Sequence, residues 1–184
     1  ADGVSIRNTI DRKQVVRRSK VIVVARVLRV KHKYNTRRAY GRQNRYIQQY
    51  RALVHIEAVL RGKAKLLSRV GKSKQLWLTK SSGFVPGKWI AVVDHYRSKY
   101  HLQNAKPGER LVAYFRDAYS IQKGGKGWAA YTRYIDHINA VGAVKKMIPQ
   151  AIREERLSWR KNSRCKKQNT WFFQGKCRKL RRIK

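Results

Sequence analysis

A segment rich in arginine, lysine and tyrosine carries the clearest chemistry in this chain. Residues 31–46 read KHKYNTRRAYGRQNRY and contain no acidic residue. Guanidinium and ammonium groups contact phosphate oxygens, and tyrosine hydroxyls can add hydrogen bonds. Arginine also enters narrow minor grooves without reading base sequence. A solvated surface loop is the alternative interpretation. The candidate phosphate-contacting residues are Lys31, Lys33, Arg37, Arg38, Tyr40, Arg42 and Arg45.

Two other basic clusters could contact the same kind of ligand, although plain solvated charge also explains them. The first lies near the start of the chain and consists of Arg12, Lys13, Arg17 and Arg18. The second, residues 156–184, holds twelve Lys+Arg and no acid. Its candidates are Arg160, Lys161, Arg164, Lys166, Lys167, Arg178, Lys179, Arg181 and Arg182. Trp171, Phe172 and Phe173 in this tail could stack on bases, pack against a second copy, or form a hairpin core.

Catalytic chemistry finds little support in the sequence. The nine acidic residues are scattered, and none of the short motifs of serine hydrolases, zinc proteases or phosphate-binding loops occurs. Asp94, His95 and His101 form the one cluster that resembles an acid–base or metal site, and they lack a further nearby carboxylate. We therefore expect no enzyme activity, no cofactor and no metal site.

Cys165 and Cys177 are the two cysteines of the chain. In an exported protein an even pair of this kind indicates a disulfide. Two free thiols in a reducing compartment are the alternative. A zinc site is not expected, because only two cysteines are present and no histidine follows His137.

The total charge limits the class of partner more than any motif does. The chain has 46 Lys+Arg against 9 Asp+Glu, a formal net charge of +37 over 184 residues. A compact domain of this length is roughly 40 Å across, and ~40 Å of duplex DNA offers about 24 phosphates. The charge therefore exceeds what one duplex face can use, which favours coating or bridging of a polyanion over reading a sequence.

The hydrophobic pattern predicts the strands that position these clusters. In residues 20–33, Val21, Val23, Ala25 and Val27 line one face of a strand, and Ile22, Val24, Leu28 and Val30 line the other. Further strands are predicted at 50–60, 75–79, 89–93, 110–116 and 128–134, separated by glycine- and proline-containing turns. Residues 31–46 are predicted to be a long loop or loose hairpin, and residues 5–19 a short helical segment.

Helix is predicted late in the chain. Asp136 could cap a helix from His137 to Met147, and Pro149 could begin a second helix that ends near Lys161. Ile148, Ile152 and Trp159 are expected to face the core. The predicted organisation is a barrel unit over 1–135, a helical segment over 136–161 and a basic extension over 162–184, with a small tail hairpin closed by the cysteine pair.

Three stretches resemble the netrin-like and tissue-inhibitor-of-metalloproteinase-like domains of bacterial secreted proteins. They are Val23–Val30, Val59–Gly62 and Pro107–Phe115, and the resemblance covers about residues 10–135. It implies export and a five-stranded OB-fold barrel. Together with the helices predicted after residue 135, the expected fold class is mainly β, an OB-like barrel of five or six strands with one or two C-terminal helices. Inhibitors of that family bind zinc through an N-terminal cysteine, whereas this chain has Ala1, so inhibition is not implied. Independently, OB barrels commonly bind oligonucleotides.

Together these observations predict an exported, non-enzymatic protein that binds and coats double-stranded DNA without sequence preference and self-associates into filaments. Ala1-Asp2-Gly3 at the start fits a chain from which a signal peptide has been removed. The expected location is extracellular, with the periplasm as the alternative, and no membrane span is expected. Structured RNA, as in a ribosomal protein, or an anionic polysaccharide are the alternative partners. An artificially supercharged OB-fold domain is a further interpretation.

Overall fold

The computed structural model describes residues 5–40, 43–83, 91–96, 100–124, 127–132, 134–168, 171–173 and 176–178. Only the backbone is described for 5–8, 32–40, 43–49, 80–83, 91–95, 103, 131 and 171–173. The strands are β1 (Ser5–Ile10), β2 (Val21–Tyr40), β3 (Gln43–Arg61), β4 (Gln75–Gly83), β5 (Ala91–Tyr96), β6 (Arg110–Phe115), β7 (Ile121–Gly124), β8 (Gly127–Tyr131), β9 (Tyr134–His137), β10 (Trp171–Phe173) and β11 (Lys176–Arg178). The α-helices are α1 (Arg12–Arg18), α2 (Lys63–Val70) and α3 (Val141–Lys167).

One seven-stranded mixed sheet, in the order β7-β8-β4-β3-β2-β6-β9, forms the centre of the molecule. Its neighbouring strands are antiparallel except for the parallel pair β4 and β8. β1 and β5 form a separate parallel pair, and β10 and β11 form a small hairpin. The predicted mainly β class is confirmed. Five or six strands were too few, because residues 121–137 form three short strands where one was predicted.

Two hydrophobic cores lie on opposite faces of this sheet. On the first face, Val21, Val23, Ala25 and Val27 pack with apolar residues from all seven strands and from α2. On the second face, Ile22 and Val24 pack with α1 and with the first half of α3. The first half of β2 is therefore buried on both sides, as its continuous apolar run predicted.

A β-bulge changes the faces of β2 after Val27. Val27 pairs with Val54 and Arg29 with the adjacent Leu53, so Leu28 is the extra residue. Leu28 is consequently exposed, and Val30 packs against the first core. The predicted placement of Leu28 and Val30 beside Ile22 and Val24 was therefore wrong, because strict alternation cannot anticipate an inserted residue.

Residues 31–46, predicted as a loop or loose hairpin, continue the two longest strands of the sheet. The backbone of Thr36–Tyr40 pairs in antiparallel register with that of Gln43–Ile47. The loop prediction was wrong and the hairpin prediction was correct, and the pairing shifts register between Lys33 and Thr36. The polar composition of this segment favoured a loop, but the hydrogen bonds between paired strands join backbone groups and need no apolar side chains. Gly41 and Arg42 lie outside the described residues.

The helices also differ from expectation near the start of the chain. The predicted helical segment 5–19 begins with β1, and only Arg12–Arg18 is helical. The Asp11 side chain caps α1 by accepting a hydrogen bond from the Gln14 backbone N–H, and the Gln14 Oε1 accepts one from the Asp11 backbone N–H. The sequence did not predict α2, which follows Gly62 and buries Leu66 and Val70 in the first core.

A single long helix, α3, replaces the two predicted near the C-terminus. It runs through Pro149, because Ile148 and Ala151 pack into the second core on either side of that proline. Packing thus offsets the ~3 kcal/mol that an interior proline costs a helix. Asp136 belongs to β9 and does not cap α3, and Trp159 is 70% exposed where core packing was predicted.

Gly62 joins β3 to α2 in a conformation that other residues rarely adopt. Its φ is +80°, and an added Cβ would lie 2.5 Å from the backbone oxygen of Lys20. Gly62→Ala should therefore lower the free energy of unfolding by about 2–4 kcal/mol, measured by urea denaturation. Gly142→Ala is the matched control, because nothing lies within 4 Å of its added Cβ. It should stabilise α3 by about 0.5–1 kcal/mol. Equal effects at both glycines would contradict this interpretation.

Candidate nucleic-acid interface

Asp136 is the most buried acid among the described residues and anchors four elements. Its side chain is 3% exposed and accepts hydrogen bonds from the Arg12 Nε at 3.1 Å, the Tyr96 hydroxyl at 2.9 Å and the Tyr114 hydroxyl at 2.7 Å. Burial and the bond to Asp136 raise the pKa of Tyr96 to about 12. Burial and the carboxylate's charge also raise the pKa of Tyr114. This network holds α1, β5, β6 and β9 together.

A second polar joint fixes α1 against α3. The Arg61 side chain is 8% exposed and donates hydrogen bonds to the backbone oxygens of Val16 and Ser19, at 3.1 and 3.0 Å. It also pairs with Glu155. Arg17 pairs with Glu154 at 3.5 Å. Both acids of α3 are therefore directed toward α1 and the end of β3.

The other acids whose side chains are described also have structural partners. Glu57 lies between the Nε atoms of Arg26 and Arg110, at 2.7 and 2.6 Å. Although desolvation raises it, hydrogen bonds from these arginines hold the pKa of Glu57 below its usual value. A hydrogen bond from the Tyr100 hydroxyl likewise lowers the pKa of Glu109. Asp117 accepts hydrogen bonds from Ser120 in a short 3₁₀ turn.

The electrostatic consequence is an uncompensated excess of surface cations. All seven acids with described side chains cap helices or turns, or bind arginine, lysine or tyrosine. The 46 Lys+Arg residues outnumber the 9 acids of the chain about five to one, so the acids can neutralise only a minority of the cations.

The exposed face of α3 carries the most regularly spaced row of these cations, here called the α3 stripe. Its members are Lys145, Lys146, Arg153, Arg156, Arg160, Arg164 and Lys167, all exposed. Spacings of three and four residues place them along one side of the helix, opposite the buried Val144, Ile148 and Ala151. At 1.5 Å per residue the stripe is about 33 Å long. No acid in the described part of α3 lies on this face.

The stripe combines predicted residues with missed ones. Arg160, Arg164 and Lys167 were predicted candidates, whereas Lys145, Lys146, Arg153 and Arg156 were not. The 3.6-residue period of the cations was a usable signal, but the division into a helix ending at Met147 and a second beginning at Pro149 hid its continuity. Lys161 and Lys166 are exposed on the flanks of the same helix.

The extended β2–β3 hairpin carries the second group of predicted residues and is here called the arm, residues 31–46. Lys31 is exposed. Lys33, Arg37, Arg38, Tyr40 and Arg45 lie on its backbone ladder, with Arg38 paired to Arg45 and Tyr40 to Gln43. At the base of the arm, Lys31 and Arg29 lie over the ring of Trp77, at 5.7 and 5.3 Å from its centre. This cation–aromatic group was not predicted.

The α1 cluster is the group most occupied by structural contacts. Arg12 binds Asp136, and its hydrogen bond to that carboxylate raises the pKa of the guanidinium. Arg17 pairs with Glu154, and Lys13, Arg17 and Arg18 are all exposed. Arg12 and Arg17 therefore form ion pairs within the protein that the sequence did not indicate.

The basic tail is joined to α3 by a disulfide between Cys165 and Cys177, with a Cα–Cα distance of 5.3 Å. This confirms the predicted pairing and the predicted hairpin, Trp171–Phe173 with Lys176–Arg178. Cys165 is fully buried, and Arg178 is exposed on β11. The bond therefore attaches the hairpin to the end of the α3 stripe. Lys179, Arg181 and Arg182 lie outside the described residues.

Reduction of this disulfide should release the hairpin and leave the main sheet folded. The bond closes a 12-residue separation, which corresponds to about 3 kcal/mol of loop entropy. Limited proteolysis and mass analysis, with and without reductant, measure the effect. We expect faster loss of residues after α3 on reduction, and Cys165→Ser/Cys177→Ser should behave alike without reductant. Equally accelerated cleavage inside β2–β6 would contradict a local role.

Metal-binding clusters and membrane-spanning helices are not seen in the described part of the chain. No group of three or more His, Cys, Asp or Glu side chains there could hold a metal ion. Of the predicted cluster, the side chains of Asp94 and His95 lie outside what is described. No helix within the described ranges combines the length and apolar character needed to cross a membrane.

Comparison with known proteins adds no assignment. No protein-family model matches the chain, and no curated protein shows significant sequence similarity to it. The function is therefore inferred from the charges and geometry described above.

Proposed function

We propose that this protein binds double-stranded DNA without sequence preference and coats it, with the α3 stripe as the principal contact surface. The observation that carries the proposal is the stripe itself: seven exposed cations in a row about 33 Å long, with no acid on that face. Phosphates of duplex DNA occur once per ~1.7 Å of axis, so a straight row of this length meets several of them.

Binding takes its free energy from counterion release. Each lysine or arginine that neutralises a phosphate displaces condensed cations from the duplex, which makes affinity fall steeply with salt. Arginine supplies four of the seven stripe residues, and its planar fork donates two parallel hydrogen bonds to phosphate oxygens. None of these contacts reads a base edge, so unrelated sequences bind alike.

The proposal also includes an OB-like closure of the sheet and a location outside the cytoplasm. Apolar residues from all seven strands meet in one core, which supports a sheet that curls into an OB-like barrel. The disulfide supports an oxidising, extracellular or periplasmic location. Exposed Leu157 and Trp159 on α3 supply apolar surface for contact between copies along the DNA.

A panel of polyanions tests the choice of partner. Fluorescence anisotropy at fixed salt should give the same affinity, within about threefold, for two duplexes of unrelated sequence. Structured RNA and a sulfated polysaccharide should compete for the labelled duplex less well than unlabelled duplex does. Stronger competition by RNA or polysaccharide at equal charge concentration would overturn the proposal in favour of that polymer.

A further inference from the structure

A cavity of about 320 Å³ lies at the surface beside α2 and is here called the Tyr119 pocket. Its polar and aromatic lining consists of Lys20, Lys65, Ser68, Arg69, Asp117 and Tyr119. Three cations against one acid leave this lining a net formal charge of +2. Its volume lies near the lower end of the ~300–1,000 Å³ that small-molecule sites span, which suits one nucleotide unit rather than a base pair.

Tyr119 presents an aromatic ring to this cavity. It is 75% exposed, the most exposed aromatic side chain among the described residues. Asp117 caps its 3₁₀ turn by accepting hydrogen bonds from the Ser120 N–H and hydroxyl, at 3.0 and 3.2 Å, and Ala118 is buried in the first core. The turn therefore directs Tyr119 outward. The Arg69 guanidinium carbon lies 4.9 Å from the ring centre, and the high exposure leaves the other face of the ring open to a ligand.

Lys65 and Arg69 form a like-charged pair on α2. They are one helical turn apart and follow the same spacing as Leu66 and Val70, whose burial in the first core fixes the orientation of the helix. Like charges four residues apart on a helix repel each other, and the sequence of α2, KAKLLSRV, contains no acid to offset them. An anion bound beside both side chains relieves that repulsion.

Lys20 adds a third cation from the segment before β2. Its ammonium lies 3.9 Å from Glu155, which also binds Arg61. The Lys20 and Glu155 side chains are 54% and 43% exposed, and ion pairs with this exposure contribute little to stability. Lys20 can therefore turn to a phosphate without breaking a buried contact. The acid of the pocket, Asp117, is held by its hydrogen bonds from Ser120.

We infer that the Tyr119 pocket binds one unpaired nucleotide of single-stranded DNA. The base stacks on the open face of the Tyr119 ring, and the phosphates next to it bind Lys20 and Lys65. Stacking of this kind accepts any base, since every base has a π-face. Bases inside a duplex are already paired and stacked, so an intact duplex does not supply this ligand. The choice of DNA as the polymer rests on the proposed function, whereas the pocket itself does not depend on the α3 stripe.

Two short strands that differ only in their bases test this site. Fluorescence anisotropy compares tetrathymidylate with an abasic strand of the same phosphates, at about 0.3 M salt, where binding by charge alone is weakened. Wild type should bind tetrathymidylate at least about fivefold more tightly, the lower end of what stacking of one base contributes. Tyr119→Ala should remove this preference and Tyr119→Phe should keep it, because the ring makes the contact. Trp159→Ala, at a comparably exposed aromatic residue, is the matched control and should keep it.

The lysines are tested by their effect on both strands. Lys20→Gln/Lys65→Gln should weaken the binding of each strand by about fivefold through lost counterion release, and should leave the preference for thymine unchanged. Thymidine monophosphate should compete for the pocket less well than tetrathymidylate does, because it brings only one phosphate. Equal competition by the monophosphate would overturn the choice of a strand as the ligand.

Three results would overturn the inference: no preference for the base-bearing strand in wild type, a preference that survives Tyr119→Ala, or an equal loss of preference in Trp159→Ala. None of them affects the proposed duplex binding, since Tyr119→Ala should bind duplex DNA as wild type does. Wild type that binds no duplex would instead refute the proposed function.

Discussion

Replacing Asp136 with alanine should destabilise the protein by about 3–5 kcal/mol. The substitution leaves the buried Tyr114 hydroxyl without its acceptor and the half-exposed Arg12 guanidinium without its carboxylate partner, and removing one partner of a buried charged network has costs of this size. Equilibrium urea denaturation measures the loss. Asp117→Ala, which removes only the cap of a short turn, is the control and should cost about 1 kcal/mol.

The double variant Asp136→Ala/Tyr114→Phe refines this test. Removing the hydroxyl that would otherwise be buried without an acceptor should recover part of the loss, a coupling of about 1 kcal/mol or more. Strictly additive losses, or an Asp136→Ala effect no larger than that of Asp117→Ala, would mean that the network does not hold α1 to the sheet.

The stripe variant R153Q/R156Q/R160Q/R164Q should bind duplex DNA about 10²-fold more weakly than wild type at 0.1 M salt. Four phosphate contacts correspond to at most roughly 10^3.6-fold by counterion release, and the arm remains as a weaker site. Fluorescence anisotropy measures the change. The control K63Q/K65Q/K72Q/K74Q removes the same net charge elsewhere and should lose less than about tenfold. Equal losses in the two variants would show that total charge, and not the row on α3, determines affinity.

The local pattern of apolar residues predicted much of the fold. Alternation in β2 before Val27 identified a strand buried on both faces, and the turn residues around Pro107 located the start of β6. Both predictions succeeded for the same reason: each depends on residues that are close in sequence and belong to the same structural element. The bulge at Leu28 and the parallel pairs β1–β5 and β4–β8 depend on distant partners, which composition does not reveal.

The sequence predicted the positive charge of the candidate site but not the arrangement of its residues. Tail arginines such as Arg160 and Arg164 were identified from composition alone. Their alignment with Arg153 became visible only once Pro149 was placed inside one helix. Arg12 shows the opposite failure, because its partner Asp136 lies 124 residues away in sequence. A basic cluster in sequence therefore does not distinguish a ligand-binding arginine from one that stabilises the fold.

The salt dependence of duplex binding tests the central claim most directly. Binding constants for a random-sequence duplex are measured from about 50 to 400 mM salt, for wild type and for the stripe variant. We predict a linear log–log dependence with a slope steeper than about −5 for wild type, and a slope shallower by about 3 for the stripe variant, since each phosphate contact contributes about 0.9. A wild-type slope weaker than about −2, or identical slopes for the two proteins, would contradict phosphate binding by the α3 stripe.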